Sequence, residues 1–445
     1  MPEPVASKTL VAAGQRREIV VEQDLRPSVL QTLHQTSPSC TRRRGAALVR
    51  LQWQRHTVRD NPRGGSLRIV YLANSRWPRT RGAERLLMSL LSHGRAKGHE
   101  VFVIAPAESA LHRACADIDV RSETAEFTLA LSSIRRLRRL MRELRPEVVH
   151  GMSIFPVAFV RWLGLVPSPP RVGFCAFVTV DPTSALPVMS VRWRRPMLFV
   201  RNLVSRVEAP RLDAIFAASR SVADRLGTVG IRGRIIEASG RLDPDELAAD
   251  SLMHLDVPEG GPRIGYAGYL EPLKGIDDLV TAFAEVAGSH PAAVLLIAGD
   301  GPEKDRLQGL ASSLGVAGRV FFVGFLEPVA PMLAALDLFV SPSRSEALGR
   351  SILEAMVLGV PTVCTDSGGP AEFIRDGENG LLVRPGDPIA LAAAMLRLLR
   401  DPEFAARLAR SGHATALDGR YLLSSTLDLV FAEYERIARR ARGAA

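Results

Sequence analysis

From Leu67 onward the chain alternates between short apolar runs and longer stretches with helical spacing. Leu67-Arg68-Ile69-Val70-Tyr71-Leu72 is the first run; it ends in a loop, and a helix-like segment follows to Lys97, stopped by Gly98-His99-Glu100. Val101-Phe102-Val103-Ile104-Ala105-Pro106 is a second strand and Glu147-Val148-Val149-His150 a later one, each entered from a helical segment. Strand and helix in alternation predict a parallel, doubly wound sheet. Residues 1–66 show no sustained period and carry Arg42-Arg43-Arg44 and Asn61-Pro62-Arg63-Gly64-Gly65, the mark of a loosely ordered extension.

After Asp243-Pro244-Asp245 and the turn-rich Pro258-Glu259-Gly260-Gly261-Pro262 the alternation restarts. Arg263 to Gly268, Ala293 to Gly299, Val320 to Gly324, Leu338 to Val340 and Pro361 to Cys364 are strand-like, and Asp277 to Ala287 is helical. The predicted organisation is a basic extension over 1–66, a Rossmann-like domain over 67–250, a second over 251–420 and an amphipathic C-terminal helix over 421–445 that returns to the first domain. Open α/β sheets bind ligands at the carboxyl ends of their strands, so two facing domains imply an interdomain cleft.

Charge divides along the same line. Residues 1–250 hold 39 basic against 23 acidic side chains, while 251–445 hold 18 against 24. A basic half suits an anionic partner, although 53 of the 57 cations are arginine and coding bias explains that equally well. The four lysines, Lys8, Lys97, Lys274 and Lys304, therefore stand out. Four cysteines without a C-x-x-C pair fit a reducing cytoplasm. Met-Pro-Glu-Pro is followed by no apolar core of a secretory signal, and the longest apolar stretch, Ser153 to Val166, is interrupted by Arg161.

Candidate chemistry concentrates in Ser341-Pro342-Ser343-Arg344-Ser345-Glu346-Ala347-Leu348-Gly349-Arg350-Ser351-Ile352-Leu353-Glu354. A buried strand opens into a small-residue loop and then a helix whose inner face is Ile352, Leu353, Met356 and Val357. Glu354 falls inside that apolar helix, where a carboxylate needs a donor. The two vicinal hydroxyls of a ribose satisfy that need, and the helix start near Gly349 offers free N–H groups to a phosphate of the same ligand. An arginine partner is the alternative for a lone glutamate, and the pattern around Glu354 favours the ligand over it.

Glu346 and Glu354, with Pro342-Ser343, Gly349, Gly359-Val360-Pro361, Gly368-Gly369-Pro370-Ala371-Glu372 and Asp376-Gly377-Glu378-Asn379-Gly380, resemble the GT4 family of GT-B glycosyltransferases. Gly268-Tyr269-Leu270-Glu271-Pro272-Leu273-Lys274-Gly275 and Ile297-Ala298-Gly299-Asp300-Gly301-Pro302-Glu303 resemble the same family's donor-domain blocks, in order. The likeness runs from 67 to about 400. It implies a GT-B fold, a nucleotide-diphosphate sugar as donor, a glycan or lipid-linked acceptor, transfer with retention, and no metal or other cofactor.

Carried over by position, the resemblance implies that Glu354 holds the ribose, that Glu346 lies beside the transferred sugar and its phosphate, that the amides of Ala347, Leu348 and Gly349 face sugar hydroxyls or diphosphate oxygens, and that Lys274 neutralises the departing diphosphate. Gly324 and Phe325 fall in the loop that meets the base, Tyr269 in the donor block, Gly82 in a loop approaching the sugar phosphate, and His150 and Asp181 along the acceptor side of the cleft. Two positions depart from the family's pattern: Tyr269 replaces an arginine, and Val178 or Val180 stands where a histidine is usual. Arg344, Arg350 and Arg241 are candidates to supply the missing charge.

No dinucleotide-binding or P-loop motif is present, and aromatics at 6% do not interleave with the basic runs, which argues against nucleic acid. Leu131 to Arg145 sets Ile134, Leu137, Leu140, Met141 and Leu144 on one stripe among arginines, suiting either the core or an anionic membrane surface. Val191-Arg192-Trp193-Arg194-Arg195-Pro196 adds an aromatic among cations. The placement implied is cytoplasmic, peripheral on the inner membrane face. A second reading is a catalytically degenerate relative that binds nucleotide-sugar or scaffolds a polysaccharide-assembly complex.

Overall fold

The computed structural model describes residues 19–23, 47–51, 65–74, 82–165, 172–178, 203–247 and 260–443. Within the extension, β1 (Ile19–Gln23) and β2 (Ala47–Leu51) pair antiparallel, so the stretch without sustained period holds one short ladder. Residues 63–247 and 251–445 form one compact unit.

Among its described residues that unit contains two all-parallel sheets. The first is built from β3 (Arg68–Leu72), β4 (Glu100–Ala105), β5 (Arg121–Thr124), β6 (Val148–Gly151), β7 (Gly173–Val178), β8 (Ala214–Ala217) and β9 (Ile235–Glu237), in the order β5-β4-β3-β6-β7-β8-β9. The second comprises β10 (Arg263–Ala267), β11 (Val294–Ala298), β12 (Val320–Gly324), β13 (Leu338–Ser341), β14 (Thr362–Thr365) and β15 (Leu381–Val383), ordered β12-β11-β10-β13-β14-β15. In each the winding reverses beside its first strand, between β3 and β6 and between β10 and β13, and such reversal points open a crevice at the strands' carboxyl ends.

Continuous apolar runs suit these strands because both faces are covered. Ile69 and Tyr71 face a core that includes Leu87, Leu90 and the C-terminal helix, while Val70 and Leu72 face Leu137, Leu140 and Met141. The stripe on the Leu131–Leu144 helix is thus spent on the core, as its period allows, and is not available to a bilayer. Arg135, Arg138, Arg139 and Arg142 remain exposed on its outer side.

The Leu423–Gly443 helix lies on the first sheet, with Val430, Phe431, Tyr434 and Ile437 in its core. This helix corrects the expectation for His150. The ring lies on no cleft: it is 0% exposed, stacked on Phe177 and Phe216 at 6.1 and 5.6 Å, and its Nδ1 meets the Tyr434 hydroxyl. Strand position alone suggested the cleft, but the returning helix closes over that face.

Burial holds the His150 imidazole down to about 3, and His93 and His99, both against Phe431, are lowered as well, chiefly by burial. A histidine depressed in the folded state supports folding above its unfolded pKa and loses that support as pH falls below it. Stability is therefore expected to drop by on the order of 2 kcal/mol for His150 between about pH 6.5 and pH 5. Denaturant titrations across that window should show a clearly shallower slope for His150→Phe than for the parent; equal slopes would mean that the ring is not held neutral.

Candidate functional site

The carboxyl ends of β10 and β13 bring together the loops that the sequence singled out. After β10 the chain turns through a short 3-10 segment, Pro272–Lys274, closed by Gly275 at φ 61°. A Cβ on Gly275 would lie 2.2 Å from the Pro342 carbonyl oxygen, so only glycine lets the two loops approach this closely. Arg344 laces them together: its N–H donates to Leu273 O at 2.8 Å, and its guanidinium reaches Pro272 O, Asp277 and Asp278 at 2.8, 3.0 and 2.8 Å. Arg344 is therefore a brace, and its charge is already shared by two carboxylates.

The brace places Lys274 Nζ 2.6 Å from Glu346 Oε2, a half-buried pair that also accepts from Ser343 Oγ at 3.3 Å. Glu346 is fixed through its backbone, donating to Ser367 O and accepting from Gly369 N. Beyond it, the amides of Ala347, Leu348 and Gly349 make no hydrogen bond among the described residues. Gly349, left-handed at φ 96°, turns the chain into the Arg350–Val357 helix, which starts directly after these amides. A lysine, a row of free N–H groups and a helix N-terminus at one strand edge form an anion-receiving arrangement.

Glu354 is 5% exposed on that helix, and its donor is Arg350: Nε meets Oε1 at 2.7 Å. The structure thus supplies the arginine partner that the sequence reading set aside in favour of a ligand. Burial raises the Glu354 carboxyl above its ordinary range, with Arg350 pulling against it; burial also works against the Arg350 charge, but Glu354 and Glu246 outweigh it and raise that group. The asymmetry follows from the count of partners, since Arg350 also meets Glu246 at 2.6 Å. Arg85, from the Gly82–Ala96 helix of the first half, acts electrostatically on Glu354 and bonds Glu327 beyond β12 at 2.6 Å. Glu354 therefore lies where the two halves meet.

Other expected residues are placed as follows. Tyr269 is partly buried, and its carbonyl accepts from the Tyr266 hydroxyl at 3.3 Å. Gly324 and Phe325 close β12, with Phe325 exposed. Gly82 opens its helix in open space and is brought against none of the others. Asp181 and the segment Val191 to Pro196 lie outside the described residues, as does Val180; Val178 ends β7. Sequence reasoning missed Glu327, which pairs across 242 positions, and gave no role to Glu372 of the Gly368–Glu372 block, whose carboxylate accepts the Arg220 N–H at 3.1 Å and so caps a first-half helix from the second half. Neither leaves a local signal. It also missed a cavity of about 160 Å³ at the carboxyl edge of the first sheet, lined by Asn74, Pro106, Glu126, Phe127, Thr128 and Phe155. A larger hollow, about 570 Å³ beside Glu285 and Arg397, sits between helices remote from these loops.

Residues 253–415 match the family described as glycosyl transferases group 1, and residues 80–237 match glycosyltransferase family 4. The 2-deoxystreptamine glucosyltransferase of Streptomyces kanamyceticus is 30% identical over 263 residues, which is 54% of this chain and 68% of that protein. The chain belongs to glycosyltransferase family 4. A second relative, the lipopolysaccharide core biosynthesis glycosyltransferase LpsE of Rhizobium meliloti, is 38% identical over 203 residues, 46% of this chain; the match spans only 58% of that relative's own length. Among solved structures, sucrose-phosphate synthase from Thermosynechococcus elongatus aligns with TM-score 0.70 at 20% identity, covering 85% of this chain and all of that one. Anabaena HepE, solved with UDP and glucose, aligns with TM-score 0.66 at 19% identity over 82% of this chain and 98% of that one. Both likenesses carry the fold, GT-B, with its two Rossmann-like domains.

In this family 4 member the Lys274–Glu346 contact depends on the close loop approach at Gly275. Gly275→Ala is expected to lose about 1–3 kcal/mol of stability, from the left-handed backbone and the Pro342 contact together. Urea unfolding of the variant checks this; an unchanged midpoint and slope would mean that the loops yield freely.

Proposed function

We propose that the protein transfers a sugar from a nucleotide-diphosphate sugar to a hydroxyl of a glycan or lipid-linked glycan, with retention at the anomeric carbon and without a metal. The observation that carries this is Lys274 held on Glu346, next in the chain to three amides, Ala347 to Gly349, that make no hydrogen bond among the described residues, at the β10/β13 edge. In the reaction the anomeric C–O bond to the diphosphate breaks, the acceptor oxygen bonds the same carbon on the same face, and the acceptor proton passes to the departing phosphate oxygen. Negative charge grows on the diphosphate, so a cation and a helix N-terminus aimed there stabilise the transition state more than the ground state.

Glu346 orients Lys274 and sits beside the transferred sugar. Glu354 accepts ribose hydroxyls through the oxygen that Arg350 leaves open, and the Gly324–Phe325 turn borders the base. The likeness to a protein solved with UDP and glucose supports a uridine donor as the first to try. The cavity beside Phe127 and Phe155 suits an acceptor sugar, placed as it is on the opposite half's strand ends.

The exposed arginines of the Leu131–Leu144 helix, with Leu129 and Leu131 at 78% and 60% exposure beside it, support attachment to an anionic membrane surface at the cytoplasmic face. Contact would be through charge and these two leucines, since the helix stripe is buried. No helix among the described residues is long and apolar enough to cross a membrane.

Slow hydrolysis across a panel of uridine, guanosine and adenosine diphosphate sugars tests the reading directly, since one sugar should be released well above background. Release from none of them, with none bound, would end it, and tight binding without release would favour the degenerate relative. Glu354→Ala should weaken the preferred donor at least about tenfold by calorimetry, and unchanged affinity would refute the ribose assignment. Lys274→Ala should lower turnover on the order of 100-fold with a smaller change in KM; full turnover would remove lysine from the leaving-group role.

A further inference from the structure

Arg241 lies where the chain leaves the first sheet after β9, its backbone N–H donating to Tyr421 O at 2.8 Å. The residue is 8% exposed. One guanidinium nitrogen, Nη1, donates to the carbonyls of Ala238 and Gly240 at 2.8 and 2.7 Å, and the group lies over the Phe177 ring at 4.9 Å. The other, Nη2, is buried without a partner. No carboxylate pairs with Arg241 among the described residues, and the charged group that acts on it is another cation, Arg350.

This is an expensive arrangement. A buried charge is ordinarily paired or neutralised, and carbonyls plus a ring face supply partial charges without a counter-ion. Burial, with Arg350 second, pulls the guanidinium down to about 9. Holding the Gly240 turn explains Nη1 alone; it leaves Nη2 and the net charge without a purpose. Arg350 cannot lend a carboxylate, since Glu354 and Glu246 are already on it. The two arginines, one from each half, act on each other electrostatically, and of the two only Arg350 has carboxylate partners among the described residues.

We propose that Arg241 is an anion-binding residue whose Nη2 receives a phosphate-type oxygen of a ligand seated where the two halves meet. The glycosyl-transfer reading supplies the source of that oxygen and nothing else in the argument. Two sources share the chemistry: the diphosphate of the donor, or a phosphate on the acceptor. Tyr269 carries no charge, so a donor diphosphate would otherwise meet Lys274 alone among side-chain cations of that loop.

The test uses the full chain and its Arg241→Met and Arg241→Lys variants, with inorganic pyrophosphate and glycerol phosphate as probes in calorimetry and thermal unfolding. Methionine removes an unpaired buried charge at similar size, so the variant should melt no lower than the parent while losing at least about tenfold in affinity for one probe. Loss for pyrophosphate assigns the donor, and loss for glycerol phosphate the acceptor. Lysine keeps a point charge without the fork and should fall between; if the methionine variant fails to fold, this variant decides. Unchanged affinity for both probes in the variants, or no binding of either probe by the parent, overturns the proposal. Loss of pyrophosphate binding in a chain that neither binds nor hydrolyses any nucleotide-sugar would keep the anion site and sink the transfer reading instead.

Discussion

The contact between Lys274 and Glu346 is the point on which the chemistry proposed for the second half turns. It exists because two strand-end loops approach more closely than a side chain at position 275 would permit, and because Arg344 ties their backbones together. A lysine alone on a turn would wander through its rotamers. Held by a half-buried carboxylate and facing a row of amides, it becomes a fixed positive end, and ordering is done before any ligand arrives. The winding reversal between β10 and β13 supplies the place, since the connections from the two strands lead away in opposite directions.

The junction of the halves is built from charges that reach across it. Arg85 bonds Glu327, Glu372 caps the Arg220–Thr228 helix, and Arg350 links the Glu354 helix to Glu246. Such contacts are individually modest where exposed and strongly dependent on geometry, which suits a junction that must admit a ligand. The C-terminal helix does the opposite. Its Phe431, Tyr434 and Ile437 are fully or nearly fully buried in the first sheet's core, so it anchors the first half although the chain reaches it from the second.

Much of this was legible in the sequence, for a physical reason. Parallel strands buried on both faces must be runs of apolar residues, and β3, β10, β11 and β13 were visible as such. The edge strands were not: β5 is Arg-Ser-Glu-Thr and only partly buried, held by its ladder to β4 instead of by apolar pattern. The apolar surroundings of Glu354 announced its burial correctly, but its partner, four residues before it on the same helix, was passed over in favour of a ligand. His150 misled because position on a strand does not say which way the ring is covered, and the Tyr434 that covers it is 284 residues away. Pairings of that kind are properties of the folded chain alone.

The most direct measurement is the affinity of a nucleoside diphosphate compared with its bare nucleoside, by calorimetry at low salt, for whichever base binds. If the lysine and the amide row exist to hold a diphosphate, the two phosphates should add at least about 100-fold. Equal affinity for nucleoside and diphosphate would contradict the account, because the positive end of the site would then be receiving nothing.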